Sequence, residues 1–236
     1  MSKTGNPRNT KKVALVGTAD ISLAHCPWND YDFTIYGLAW RQDQPRRDVL
    51  FDIHKIDATR VNVPQNYPKW LASTNLPVYM QDVHPDVPNS VRYPVEQMAA
   101  AYGDYFASSV AYMLCLALEE GFEEIHLYGI ELLDDSEYAY QRPNAEYLLG
   151  VAHGKGRRVY VPPTSALLKF SHRYGYDNEP NHGGITKELL AEHEQRYNEI
   201  HEKSLRELYT ADGAKQALAN LRTVVDFSKK GRVNHG

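Results

Sequence analysis

The chain has 236 residues, with 42% hydrophobic and 24% charged side chains, which is the usage of an ordinary globular protein. Its formal net charge of −4 excludes a global positive field that would attract nucleic acid or an anionic membrane. The two cysteines are too few for a disulfide framework and favour a reducing cytosol. No apolar run approaches the ~20 residues that a membrane span needs, so we expect no membrane segment.

Six short apolar runs predict the strands of a parallel sheet. Such runs, rich in β-branched residues and separated by helical or irregular segments, are typical of strands that are buried on both faces. They lie at residues 12–17, 33–37, 49–54, 76–80, 125–130 and 159–162. The pattern predicts a Rossmann-like, doubly wound α/β fold with about six strands, mostly parallel.

The segments between and after these runs predict the helices and the domain organisation. A helix over 106–120 is apolar nearly all round and should be buried. A further helix should start with Pro143 in its first turn. The composition changes near residue 174, and two polar helices, 186–209 and one opened by Asp212, predict a C-terminal helical hairpin that could pack on the sheet or join a second subunit.

These elements divide the chain into three parts. Residues 1–11 are basic, but they are not followed by the apolar h-region of a signal peptide, so we expect a flexible arm and no signal peptide. Residues 12–173 form the predicted Rossmann-like domain, and residues 174–236 form the predicted helical extension. In a doubly wound sheet the ligand binds beyond the carboxyl ends of the strands, so we expect functional side chains at those ends.

The loop after the first strand is one candidate for phosphate binding. It contains the small residues Gly17, Thr18, Ala19 and Ser22, whose backbone N–H groups could approach a phosphate. The segment matches neither G-x-G-x-x-G nor the P-loop, so an ordinary turn after a strand is the alternative. His54, at the end of the third strand, is a general-base candidate because histidine titrates near neutral pH, or else a hydrogen-bonded structural residue.

The loop after the fifth strand carries four acids, Glu131, Asp134, Asp135 and Glu137. At this edge they could hold Mg²⁺, bind ribose hydroxyls or supply a general base, with Glu131 or Glu137 in the last role. A solvated acidic turn is the alternative. The side chains that follow suit a nucleotide, because they combine stacking with directional hydrogen bonds. They are Tyr138, Tyr140, Gln141 and Arg142.

Three serines complete the candidate site. Ser108 and Ser109 lie in the first turn of the apolar helix, where they could face an anion or simply cap the helix. Ser165 follows the last strand on the same edge of the sheet. The spacing of cysteine and histidine fits no zinc site.

Several segments resemble a family of Rossmann-like proteins from tailed bacteriophages, described as hypothetical or "norphogenetic" proteins. The specific part is E-Y-A-Y-Q-R-P-N-A-E-Y, residues 137–147. The other parts are V-A-L-V-G-T-A, L-F-D-I-H, R-Y-P, S-S-V-A-Y-M-L-C-L-A-L, V-P-P-T-S-A-L-L-K-F and D-G-A-K-Q-A-L. The resemblance covers most of the chain and implies a phage-encoded nucleotide-binding protein of the host cytoplasm. More remotely, the layout is similar to bacterial sialyltransferases and motility-accessory-type transferases.

Three functional hypotheses follow. The leading one is a glycosyltransferase-like enzyme that binds a nucleotide or nucleotide-sugar and acts in phage DNA or nucleotide modification, with DNA as an acceptor. The second is a non-catalytic protein that sequesters a nucleotide or blocks a host-defence protein. The third is a phage assembly factor whose C-terminal helices dock a virion protein. The first two require Gly17, His54, Glu131 and the segment ending at Arg142 to share one cleft.

Overall fold

The computed structural model describes residues 5–54, 65–132, 138–169, 173, 175–176 and 187–231. Within these residues one sheet contains seven strands in the order β5-β4-β3-β2-β1-β6-β7. The strands are β1 (Lys12–Val16), β2 (Phe33–Leu38), β3 (Val49–Asp52), β4 (Val78–Met80), β5 (Ser90–Arg92), β6 (Glu124–Tyr128) and β7 (Arg158–Tyr160). The helices are α1 (Asp20–Leu23), α2 (Tyr67–Ser73), α3 (Val95–Tyr102), α4 (Ser109–Glu119), α5 (Tyr138–Gly154) and α6 (Lys187–Gly231).

Every pair of neighbouring strands is parallel, and the order of the strands reverses once. From β1 the chain adds strands outward to β5, and then returns to place β6 on the other side of β1. The predicted Rossmann-like, doubly wound fold is therefore confirmed. The switch point, where such sheets bind their ligands, lies between the carboxyl ends of β1 and β6.

Helices cover both faces of the sheet. On one face, α4 and α5 share a core with Leu15 of β1 and Leu127 of β6. On the other face, Leu23 of α1 packs against Ala14 and Val16, and α2 packs against β3 and β4. Alternate residues of β1 thus enter opposite cores, which explains why the strand is apolar at successive positions.

The sheet has one strand more than the sequence predicted. The additional strand, β5, has three residues and lies at the edge of the sheet. Its surroundings, with Pro88 before it and Pro94 after it, indicated an irregular segment. An edge strand tolerates such neighbours, because only one side of it has to pair.

The prediction of a C-terminal helical hairpin is wrong. The two expected helices are one continuous helix, α6, of 45 residues, which passes through Asp212 and Gly213. An isolated glycine lowers helix stability by only about 1 kcal/mol, and helix-forming residues flank this one. The chain divides into two compact units, Met1–Gly184 and Ile185–Gly236.

Two further details differ from expectation. Pro143 lies inside α5 and not in its first turn, since the helix already begins at Tyr138. Contacts also tie residues 5–11, part of the predicted arm, to the end of α4 and to the residue before β3. The Gly5 N–H donates to Glu120 Oε1 at 2.7 Å, and Arg8 Nε pairs with Asp48 Oδ1 at 2.6 Å.

We expect Gly17→Ala to lower the free energy of unfolding by about 1–3 kcal/mol, the usual effect of overpacking a core. A Cβ atom there would overlap the carbonyl oxygen of Gly129 and lie 2.9 Å from Ile130 Cγ1. The matched control is Gly150→Ala in α5, where a Cβ atom meets nothing within 4 Å. That change should stabilise the protein by about 0.5–1 kcal/mol. Urea unfolding measures both, and equal effects would contradict the close approach.

Candidate functional site

The loops after β1 and β6 are joined directly by their backbones. The Gly17 N–H donates to Tyr128 O at 2.8 Å, and the Thr18 and Ala19 N–H groups donate to Gly129 O at 2.9 and 3.0 Å. Gly129 has a positive φ of 66°, which favours glycine. The N–H groups that the sequence suggested for phosphate binding therefore already have acceptors within the protein.

Ser22 and Glu131 form the second connection between the two loops. The Gly129 N–H donates to Ser22 Oγ at 2.6 Å, and the Ser22 N–H donates to Glu131 Oε1 at 3.2 Å. Glu131 is only 6% exposed, and its Oε2 has no hydrogen-bond partner in the part of the chain that the structure describes. A buried carboxylate oxygen without a donor is unfavourable, so this atom keeps a hydrogen-bonding capacity that the described residues do not satisfy.

The segment after β7 closes the other side of Glu131. The backbone oxygen of Glu131 accepts a hydrogen bond from the Ala166 N–H at 2.6 Å and faces Ser165 Oγ at 3.5 Å. Partial burial lowers the pKa of Lys169 below its usual range, and the nearby Glu131 carboxylate opposes part of this effect. The structure thus unites four predicted residues and Gly129 in what we call the switch-point cluster: Gly17, Ser22, Gly129, Glu131 and Ser165.

The loop between β2 and β3 contributes side chains that the sequence analysis missed. Gln44 Nε2 donates to Gly17 O at 3.0 Å, and Arg41 Nη1 donates to Thr18 O at 2.9 Å. Arg41 also pairs with Asp43 at 2.8 Å, and the hydrogen bond between them raises the pKa of Arg41. The available signal was the position of these polar residues after a strand, on the same edge as Gly17.

The starts of α4 and α5 meet at this edge too, because both helices lead back to parallel strands. Ser108 is the N-cap residue of α4 and makes no side-chain capping bond, and Ser109 is the first helical residue. Asn144 of α5 joins this helix to the segment before α4. It is fully buried, and sequence reasoning missed it. Its Oδ1 accepts from the Ala107 N–H at 3.0 Å, and its Nδ2 donates to Tyr105 O at 2.7 Å.

The predicted aromatic and polar residues belong to the first turns of α5. Tyr140 is 54% exposed, and its backbone oxygen accepts from the Tyr105 hydroxyl at 3.4 Å. Gln141 and Arg142 are half-buried, and Tyr138 begins the helix. Asp134, Asp135 and Glu137 lie outside the described residues. Among the residues that are described, no three His, Cys, Asp or Glu side chains could hold a metal ion together.

His54 belongs to a second cluster, beyond the end of β3. Its side chain is 66% exposed, and its Nδ1 lies 3.6 Å from Oδ1 of Asp52. Asp52 is 2% exposed and accepts a hydrogen bond from the Tyr67 hydroxyl. We call Asp52 and His54 the β3 dyad. Since β2 separates β3 from β1, the two strand ends lie about 10 Å apart at the usual strand spacing.

We expect Ser22→Ala to lower the free energy of unfolding by about 1–3 kcal/mol, because it leaves the buried Gly129 N–H without an acceptor. The control is Ser73→Ala, which removes an exposed hydroxyl that donates to Trp70 O at 2.9 Å. Denaturant unfolding should show a change within about 0.5 kcal/mol for the control. Equal losses for both variants would contradict this role of Ser22.

Comparison with known proteins gives one structural similarity. No protein-family model and no curated protein sequence matches the chain. The fold is remotely similar to that of the sialyltransferase CstII from Campylobacter jejuni, solved in complex with the substrate analogue cytidine-5′-monophosphate. The TM-score is 0.45 at 15% sequence identity, and the match covers 66% of this chain and 82% of that chain.

In the described part of the chain, every helix is too short or too polar to cross a membrane.

Proposed function

We propose that this protein binds a nucleotide at the switch point and transfers a group from it, as a nucleotide-sugar-dependent transferase. The observation that carries the proposal is Glu131, a buried carboxylate between the ends of β1 and β6 with one oxygen unpartnered among the described residues. Doubly wound sheets bind nucleotides at this point, and a carboxylate oxygen is an acceptor that can take hydrogen bonds from ribose hydroxyls.

The switch-point cluster would hold the nucleoside. The Ser22 N–H orients the Glu131 carboxylate through Oε1, so that Oε2 can accept from a ribose hydroxyl or a base amino group. Because the Gly17, Thr18 and Ala19 N–H groups donate to Tyr128 O and Gly129 O, phosphate contacts would come from elsewhere. The uncapped start of α4, with Ser108 and Ser109, supplies N–H groups and hydroxyls at the same edge.

The β3 dyad would supply the base for transfer. The buried Asp52 carboxylate lies 3.6 Å from Nδ1 of His54, and in this scheme Nε2 of the same ring acts on the acceptor. His54 would take the proton of an acceptor hydroxyl while the oxygen of that hydroxyl bonds to the sugar carbon of the donor. The bond from that carbon to the phosphate oxygen breaks, and the nucleotide leaves with the electron pair. Asp52, fixed by the Tyr67 hydroxyl, is a positioning residue in this scheme.

The source of the protein, its acceptor and its place of action are proposed from the sequence resemblance alone. A tailed-phage source, DNA as acceptor and action in the host cytoplasm are predictions of that resemblance. Mg²⁺ would need acids such as Glu137 in addition to Glu131, or the phosphates of the ligand. A protein that only sequesters a nucleotide would use the same switch-point cluster without requiring His54, so turnover distinguishes the two functions.

We expect Glu131→Gln to weaken nucleotide binding roughly 10- to 100-fold, the effect of losing a hydrogen bond to a charged group. Isothermal titration of the protein with a panel of nucleoside mono- and diphosphates measures this. The control is Glu123→Gln, on the amino edge of the sheet, where the carboxylate pairs with Lys11 at 2.7 Å. The proposal would be overturned if Glu131→Gln bound nucleotides as tightly as the wild-type protein does. It would also be overturned if the wild-type protein bound no nucleotide of the panel.

We expect His54→Ala to lower kcat roughly 10²- to 10⁴-fold without a comparable loss of nucleotide affinity, as for a general base. Nucleotide release from CMP-, UDP- and GDP-sugars measures the rate. Asp52→Asn should also displace the pH profile of kcat/KM, which a purely structural role would not do. His153→Ala, at the exposed end of α5, is the control. Unchanged turnover in His54→Ala would favour simple sequestration.

A further inference from the structure

Among the described residues of its own unit, helix α6 has no other helix or strand to pack against. It is the one element described within the unit Ile185–Gly236. Its 45 residues make a rod about 66 Å long at 1.5 Å per residue. Helices of proteins owe most of their stability to an apolar face packed against a partner, so the surface of α6 should reveal one.

One side of α6 carries such a face, which we call the α6 stripe. Its members follow each other at spacings of three or four residues, so they share one side of the helix. They are Tyr197, Ile200, Ser204, Leu208 and Ala211. Tyr197 is 59% exposed, Ile200 46% and Leu208 56%. Ser204 and Ala211 are small, which would let a second helix approach closely.

The charge of α6 is divided between its two halves. Residues 187–209 contain six acidic and four basic residues, a net charge of −2 with histidine neutral. Residues 210–231 contain two acidic and four basic residues, a net charge of +2. Two copies aligned in parallel would oppose like charges. Two antiparallel copies would oppose the acidic half of each to the basic half of the other, which is the favourable arrangement.

We propose that α6 pairs with α6 of a second copy of this chain, antiparallel and with the whole helices in overlap, so that the α6 stripe of each copy, residues 197–211, lies along residues 207–221 of the other. The pair has a two-fold axis near residue 209, the midpoint of Lys187–Gly231. The apolar side chains on the stripe then leave water, and the acidic half of each helix lies along the basic half of its partner. The proposal is independent of the nucleotide site.

Sedimentation equilibrium of the full chain tests the self-association. We expect a dimer that weakens as salt screens the charges. Ile200→Glu and Leu208→Glu should each raise the dissociation constant of the dimer roughly tenfold or more. Tyr209→Glu is the control, because Tyr209 is 71% exposed but lies outside the stripe. Circular dichroism checks that each variant keeps its helix. A monomeric wild type, or dimers unaffected by both stripe variants, would overturn the proposal.

Disulfide formation by single new cysteines tests the orientation. The native Cys26 and Cys115 are buried, and burial raises the pKa of each thiol to about 12, so they do not compete. Antiparallel overlap brings the two copies of Leu208→Cys together near the axis and keeps the two copies of Tyr197→Cys far apart. Cross-linking through Tyr197→Cys, or none through Leu208→Cys, would overturn the proposed arrangement.

Discussion

The close approach of Gly17 and Gly129 is the constraint on which the candidate site depends. Because neither residue has a side chain, the loops after β1 and β6 can share backbone hydrogen bonds beyond the ends of their strands. That contact brings Ser22 onto the loop of Glu131 and removes the carboxylate from water. A larger residue at Gly17 would separate the loops, and the buried acid would lose the N–H that orients it.

The sequence predicted the sheet well, because strands buried on both faces are apolar at successive positions, as in Val13–Val16 of β1 and Val49–Phe51 of β3. It failed where local signals and tertiary structure disagree. β5 is short, and its neighbouring prolines suggested a loop, although the edge of a sheet accepts it. Asp212 suggested the start of a second helix, but α6 continues through it and through Gly213 at modest cost.

The candidate site was predictable only where the position after a strand identifies a residue. That rule found Gly17, Glu131 and Ser165. It could not show that Tyr128 and Gly129, more than a hundred residues later, supply acceptors for the Gly17 and Thr18 N–H groups. Asn144 and Gln44 were missed for the same reason, since their importance lies in contacts with backbone atoms distant in sequence. Asp52 looked like one more strand residue until its contacts with Tyr67 and His54 were visible.

The position of β6 beside β1 has a consequence during protein synthesis. β2 follows β1 closely and can pair with it early, but the second edge of β1 receives its partner only after Glu124–Tyr128 have left the ribosome. Until then the nascent chain presents an unpaired, strongly apolar strand edge, which is a template for aggregation. Chaperone binding to the incomplete chain, released once β6 is made, is the behaviour that this topology favours.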